Sequence, residues 1–273
     1  MIESILIATD GSDAATDAER SGVSLASRLG VRVSAITVVE DRDIKVPKDA
    51  GLSLPPFPET EVGVYHRARA EAVSRRFGEC ARSEGLEAIC DSVAGVGDDR
   101  IVEKAQSCGL LVIGRDGKGA GVRGTLVGST VDGVIRKTAK PTLVVPEGAP
   151  IGGPIVLGFD GSPGSRIAAT LAVQLANGLG ESVHVFVDSK DKGRAVARFE
   201  EVRQLVGGLS VPVRETSSTL GRPDVKIVDT AREAGAAVIV IAAFGRNRIT
   251  EYFLGSNAAA VVRTSPVSVL LAR

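Results

Sequence analysis

Residues 5–12 read ILIATDGS and residues 155–162 read IVLGFDGS: one apolar run closing on Asp-Gly-Ser, repeated after 150 positions. A period that long points to a duplicated domain. A second match lies toward the end of each half, where LVGSTVDGVIRKT from Leu126 aligns with FLGSNAAAVVRTS from Phe253, 127 positions on. The intervals differ by 23 residues, so the second copy is shortened in its middle, and the shortfall is expected around residues 41–64. Residues 46–60, VPKDAGLSLPPFPET, carry Pro47, Pro55, Pro56 and Pro58. Prolines disfavour helix and sheet interiors, so a long surface loop is predicted there, in the first copy alone. Residues 147–154, EGAPIGGP, are turn-rich. They place a linker at 148–153 between units 1–147 and 154–273.

Within each copy, short branched apolar runs alternate with segments of helical periodicity, the pattern of a parallel sheet covered by helices on both faces. About five strands are expected per copy. They fall at 4–8, 32–39, 87–93, 110–113 and 142–145, and at 154–158, 182–187, 212–216, 237–242 and 268–271. A helix is predicted over 12–29, where Ala18, Gly22, Leu25, Ala26 and Leu29 share one face. The class is therefore α/β, two tandem open parallel-sheet units.

Composition narrows the function. The 33 basic and 33 acidic residues give no basic excess of the kind that binds nucleic-acid backbones. No apolar run approaches the ~20 residues of a membrane helix, and the start does not resemble a signal peptide, so a cytoplasmic protein without membrane contact is expected. Cys80, Cys90 and Cys108 contain no Cys-x-x-Cys pair and read as reduced, mostly buried thiols; no metal cluster is expected. His66 and His184 are the only histidines and suggest no Ser-His-Asp set.

In an open parallel sheet, ligands collect beyond the carboxyl ends of the strands where strand order reverses. Thr9, Asp10 and Gly11 leave the first strand there, Val39 ends the second, and the glycine-rich stretch GRDGKGAGVRGTLVGST begins at Gly114. Ser129 and Thr130 open a helix whose free N–H groups and dipole suit a phosphate. Gly119, Gly121 and Gly124 match Gly-x-Gly-x-x-Gly by spacing, but the fingerprint should join the first strand to its helix, and these do not. The Walker loop fails as well, because Thr125 and Leu126 stand where its lysine and Ser/Thr belong. Arg115, Lys118 and Arg123 read as solvated loop charges.

Taken together, the Asp-Gly-Ser opening, the strand-ending VVE, the glycine loop and the tail with Pro before a final apolar strand resemble the universal stress proteins. Their mark is Gly-x-x-Gly, nine residues, then Gly-Ser or Gly-Thr, and the likeness covers nearly the whole chain twice. It implies an adenine nucleotide α-hydrolase-like fold in each copy, with the two copies paired through their last strands as an intramolecular pseudo-dimer. Pairing of whole chains into a homodimer is left open. In ATP-binding members the opening aspartate and second-strand end lie near the adenosine, while the glycine loop and its Ser or Thr hold the phosphates. Carried over, the first site is Thr9, Asp10, Val39, Gly114, Gly117, Gly128, Ser129 and Thr130. The second is Asp160, Val187, Gly245, Gly255 and Ser256. The implied ligand is ATP, alone or with Mg2+.

Each copy departs from the motif. Ten residues rather than nine separate Gly117 from Gly128, in a loop whose extra glycines can absorb one insertion. The second copy keeps the spacing but has Ala242 at the first glycine, with Phe244 beside Gly245. A Cβ there is expected to restrict the backbone and crowd a ligand, so the first copy should bind more tightly. Two functions follow: an ATP-binding stress-response regulator acting on an unknown protein partner, or a nucleotide-free scaffold for dimerisation and interaction. An enzyme ranks behind both, since the paired glycines of the Ser-Gly-Gly-x-Asp-Ser loop that splits ATP at the α-phosphate are missing after the first strand. No general base or arginine finger marks fast hydrolysis; slow turnover of bound ATP is left open.

Overall fold

The computed structural model describes residues 2–39, 61–116, 127–244 and 254–273. The first half runs β1 (Ser4–Ala8), α1 (Asp13–Leu29), β2 (Arg32–Val39), α2 (Glu61–Ser83), β3 (Ile89–Ala94), α3 (Gly97–Ala105), β4 (Leu110–Gly114), α4 (Ser129–Lys137) and β5 (Thr142–Val145). The second half runs β6 (Ile155–Gly158), α5 (Pro163–Leu179), β7 (Val183–Asp188), α6 (Lys192–Val206), β8 (Val213–Ser218), α7 (Pro223–Glu233), β9 (Val238–Ala242), α8 (Ser256–Thr264) and β10 (Ser268–Ala272).

The described strands form one ten-stranded sheet in the order β3-β2-β1-β4-β5-β10-β9-β6-β7-β8. Each half contributes five parallel strands, and the halves meet where β5 and β10 pair antiparallel, Val144 opposite Val269 and Leu143 opposite Leu270. Two edges that would otherwise invite foreign strands are thereby buried. The apolar runs form strands because both faces are covered. Along β1, Ile5 and Ile7 enter the core beneath α1, α2, α5 and α6, while Leu6 and Ala8 enter the core beneath α3, α4, α7 and α8. Each large side chain so buried contributes roughly 1.5–3 kcal/mol.

Local signals repeat with the same 150-residue interval. Ser12 and Ser162 cap α1 and α5 by accepting from Ala15 and Ser165 N–H, and Gly30 and Gly180 end these helices at φ +65° and +67°. Gly11 and Gly161 turn the chain out of β1 and β6 at φ +76° and +75°, a conformation that a side chain would strain.

The loop expected over 46–60 lies outside the described residues, whereas the end of the stretch expected to hold the extra length is helix. Helix α2 already starts at Glu61, so residues 61–64 are helical; the four prolines lie outside the described residues. Part of the missing length is helix, since α2 has 23 residues and α6 only 15.

Side chains also cross the seam. Arg28 of α1 donates to Leu179 O and Glu181, both at 2.8 Å, and Asp17 accepts from Gly148 N–H at 2.7 Å. Arg115 donates to Ser265 O at 2.7 Å beyond the end of α8, and Arg273 donates to Ile135 O in α4 while lying 4.9 Å from the Phe244 ring centroid. Burial pushes Arg273 down to about 10. A cavity of about 50 Å³ lies between α1 and α5 beneath residues 150–153. Among the described residues no helix is long and apolar enough to cross a membrane.

Candidate functional site

Strand order reverses between β1 and β4 in the first half and between β6 and β9 in the second. The sequence-predicted residues gather at these two points. In the first, Thr9 is buried, its N–H donating to Ile36 O at 3.0 Å and its hydroxyl to Glu19. The half-buried Asp10 closes a tight turn, its carboxylate accepting from Ser12 N–H at 2.9 Å. Asp160 makes the same turn with Ser162 at 2.9 Å. Such a turn fixes the side chain at the loop's rim.

Gly114 ends β4 beside Val145, and the next residue closes the glycine loop: Gly128 N–H donates to Arg115 O at 3.2 Å. The second half makes the equivalent bond from Gly255 N–H to Ala243 O at 2.9 Å, across one residue fewer. The extra residue of the first half is therefore contained within its loop. Gly117 and Gly245, with Lys118, Gly119, Gly121, Arg123, Gly124, Thr125 and Leu126, lie outside the described residues.

Gly128 and Gly255 are the N-caps of α4 and α8, with nearly identical backbones (φ −56°, ψ 144° and φ −58°, ψ 143°) and no side-chain cap. Ser129 and Ser256 are exposed at the first helical position, and Thr130 is half-buried behind Ser129. The leading N–H groups of a helix have no intrahelical acceptor and carry positive dipole, so each start can hold an anion.

Two expectations need correction. Val187 is not the counterpart of Val39. Ile5 pairs with Val33 and Ile155 with Val183, so Val39 matches Ser189, while Val187 matches Thr37 and is wholly buried in the core. Strand β7 runs one residue past Val187 to Asp188, whose Oδ1 is buried without a hydrogen-bond partner. Val39 does end β2, with its carbonyl accepting from Gly95 N–H at 3.1 Å.

Nor does Ala242 strain the backbone. Among the described residues only glycines have positive φ, and Gly114 is not one of them, so an alanine fits this conformation. The matter is space, and a neighbour supplies it: a side chain on Gly164, in the first turn of α5, would bring its Cβ within 3.1 Å of Ala242 Cβ. The first half has the opposite arrangement in sequence, Gly114 with Ala14.

Sequence reasoning also missed Glu19, Arg69 and Arg76. Glu19 is 1% exposed and paired with Arg76 at 2.6 Å. One signal was present. Glu19 stands four residues after Ala15 and four before Val23 on the apolar face of α1, where an isolated acid requires a partner.

Among the described residues no other cluster competes. Burial pushes Cys90 up to about 11 and raises Cys80 and Cys108, which favours inert thiols at neutral pH. His184 bonds Thr216 at 2.7 Å within the sheet. Among the described residues no group of three or more His, Cys, Asp or Glu is placed to hold a metal ion.

The model of the universal stress protein family matches residues 1–146 and again 153–273. The chain belongs to the universal stress protein family. Universal stress protein Rv2005c of Mycobacterium tuberculosis is 28% identical over 246 residues, covering 80% of this chain and 81% of its own length. Universal stress protein Slr1230 of Synechocystis is 22% identical and covers both chains fully. Among solved structures, a universal stress protein from Archaeoglobus fulgidus has the same fold, with a TM-score of 0.78 at 19% identity over 99% of this chain and 98% of that one. A further likeness, to a universal stress protein from Pseudomonas aeruginosa, has a TM-score of 0.65 at 19% identity, covering 99% and 93%. This member thus carries two universal stress protein units in one chain and one sheet.

Proposed function

We propose that this universal stress protein is an ATP-binding regulator, with the nucleotide held at the β1/β4 switch point of the first half and more weakly at the β6/β9 point of the second. One observation carries the reading. At each switch point an uncapped helix start, fixed by the Gly128–Arg115 or Gly255–Ala243 bond, lies at the same end of the sheet as a turn closed by Asp10 or Asp160. The helix start supplies N–H donors and positive dipole for phosphate, and the aspartate supplies an acceptor for the ribose or base hydrogen-bond donors. Gly114, Gly117, Gly128, Ser129 and Thr130 would line the phosphate side, and Thr9, Asp10 and Val39 the adenosine side. In the second half the same duties fall to Gly245, Gly255 and Ser256, and to Asp160 with the end of β7, where Ser189 and Asp188 replace the Val187 of the sequence reading.

The activity is binding, with nucleotide occupancy changing the surface offered to a partner protein. ATP binds alone or with Mg2+, whose ligands would come chiefly from the phosphates and water. Calorimetric titration of the chain and of its Asp10→Ala and Asp160→Ala variants tests the reading. Saturable binding that Asp10→Ala weakens more than Asp160→Ala supports it. Greater loss in Asp160→Ala reverses the order of the sites, and no binding at millimolar ATP leaves the nucleotide-free scaffold.

A further inference from the structure

Arg115 and Arg273 cross the seam in opposite directions, and each ends on the helix that forms the other half's candidate phosphate site. Arg115 follows Gly114 at the end of β4, and its carbonyl accepts the Gly128 N–H that closes the first glycine loop. Its side chain leaves that loop for the second half, where Nη1 donates to Ser265 O at 2.7 Å and Arg263 O at 3.4 Å, at the carboxyl end of α8. Arg273 follows β10 and returns the contact, donating to Ile135 O in the last turn of α4 while its guanidinium carbon lies 4.9 Å from the Phe244 ring centroid. Phe244 stands next to Ala243, whose carbonyl accepts the Gly255 N–H that closes the second glycine loop. Carbonyls in the last turn of a helix have no intrahelical donor and carry the negative end of its dipole, so a guanidinium suits both positions. Arg115 is thus not the solvated charge that its sequence context suggested: only 19% of its side chain is exposed, and its Nε bonds Asp116 at 3.0 Å. Arg273 Nε is likewise buried.

We propose that Arg115 and Arg273 are positioning residues that couple the two nucleotide sites, so that ATP bound in one half tightens binding in the other. The inference rests on the nucleotide reading above and goes beyond it by making the two sites one regulated unit. Each of α4 and α8 is about 13 Å long with its apolar residues buried, Val131, Val134 and Ile135 in one and Ala258, Val261 and Val262 in the other, so a constraint at one end is felt at the other. The start of each helix offers N–H groups to phosphate, and its end is held by an arginine from the other half. Phosphate at Gly128 orders the first loop and with it residue 115. That fixes the guanidinium on the end of α8 and leaves less ordering to be done at Gly255 and Ser256. In the reverse direction, phosphate at Gly255 sets residues 243 and 244 against Arg273, whose hold on Ile135 O steadies α4 and its start at Gly128. Coupling between two binding sites acts equally both ways.

The test is competition of ATP against photolabelling by 8-azido-ATP on the full chain, with labelled peptides assigned to each half. Protection of the second half is read with the first site intact and with it closed by Gly128→Val, closure being verified by loss of first-half labelling. In the chain with both arginines, closing the first site should raise the ATP concentration that half-protects the second half about fivefold. Arg115→Met and Arg273→Met keep side-chain length and lose the donors; each should lower that ratio, and together they should bring it to about one. Arg115→Lys, which can still donate to one carbonyl, should restore part of it. A merely structural role would weaken the second half by the same factor with the first site open or closed; a ratio so preserved in folded Arg115→Met overturns the inference. So does a ratio of about one in the chain with both arginines, or labelling confined to one half. First-half labelling that survives Gly128→Val removes phosphate from that loop and the inference with it. If the paired variant does not fold, Arg115→Met decides alone. Absence of labelling in both halves of the unaltered chain overturns the nucleotide reading itself, an outcome distinct from two labelled sites that ignore each other.

Discussion

Exchanging the methyl group between Gly164 and Ala242 tests how the second half accommodates its missing glycine. A Cβ on Gly164 would stand 3.1 Å from Ala242 Cβ, closer than carbon atoms pack at rest, and in ordinary contact with Phe244 O at 3.4 Å. Gly164→Ala alone must push the start of α5 from β9 by a few tenths of an ångström, an overpacking worth roughly 1–3 kcal/mol. Alanine's helix propensity returns up to about 1 kcal/mol, less in a first turn, so a net loss of about 1 kcal/mol is expected. Ala242→Gly alone loses one half-buried methyl group and frees a strand residue, again about 1 kcal/mol. Together the changes move the methyl from strand to helix, giving the second half the residue types that the first half has at the corresponding sequence positions, Gly114 and Ala14. The double variant should therefore be more stable than the sum of the singles by about 1 kcal/mol. Urea unfolding followed by far-ultraviolet circular dichroism measures the cycle, as the chain has no tryptophan for fluorescence. Additivity within roughly 0.4 kcal/mol would refute the view that these residues share one space.

Gly128→Val places a branched side chain at the start of α4 and should weaken ATP binding at least tenfold by calorimetry, with unfolding little changed; equal affinity in the folded variant removes phosphate from this loop. Arg115→Ala loses the bonds to Arg263 O and Ser265 O across the seam, and should lower unfolding free energy by about 1–2 kcal/mol in urea melts; no change would make those contacts incidental. Burial, reinforced by the nearby Arg214 charge, holds His184 below its ordinary value near 6.5. As pH falls through 6.5 the unfolded chain takes up the proton first, so stability drops on acidification. His184→Gln should flatten that decline between pH 7 and 5, and a parallel decline in both proteins would exclude His184 as a source.

The fold was legible because apolar runs buried on both faces admit little else, and because the two Asp-Gly-Ser turns mark the halves at once. Strand limits stood within two residues at all ten positions. The least legible parts depend on residues distant in sequence. The reach of Arg69 and Arg76 to residues 10 and 11 crosses a long insertion that hides any spacing, although Glu19 on an apolar face announced that some cation must come. Val187 was misassigned because the apolar run ends there while the strand continues through a polar Asp188. The pairing of Ala242 with Gly164 required seeing α5 and β9 side by side.

The central claim is that this universal stress protein holds an adenine nucleotide at its first-half switch point. Denaturing freshly purified protein and identifying the released small molecules by chromatography and mass spectrometry tests it most directly, with the stripped chain then titrated against ATP. The account predicts adenine nucleotide at about one equivalent per chain, retained on purification or regained on titration. No released nucleotide, together with no saturable uptake at millimolar ATP, would contradict it.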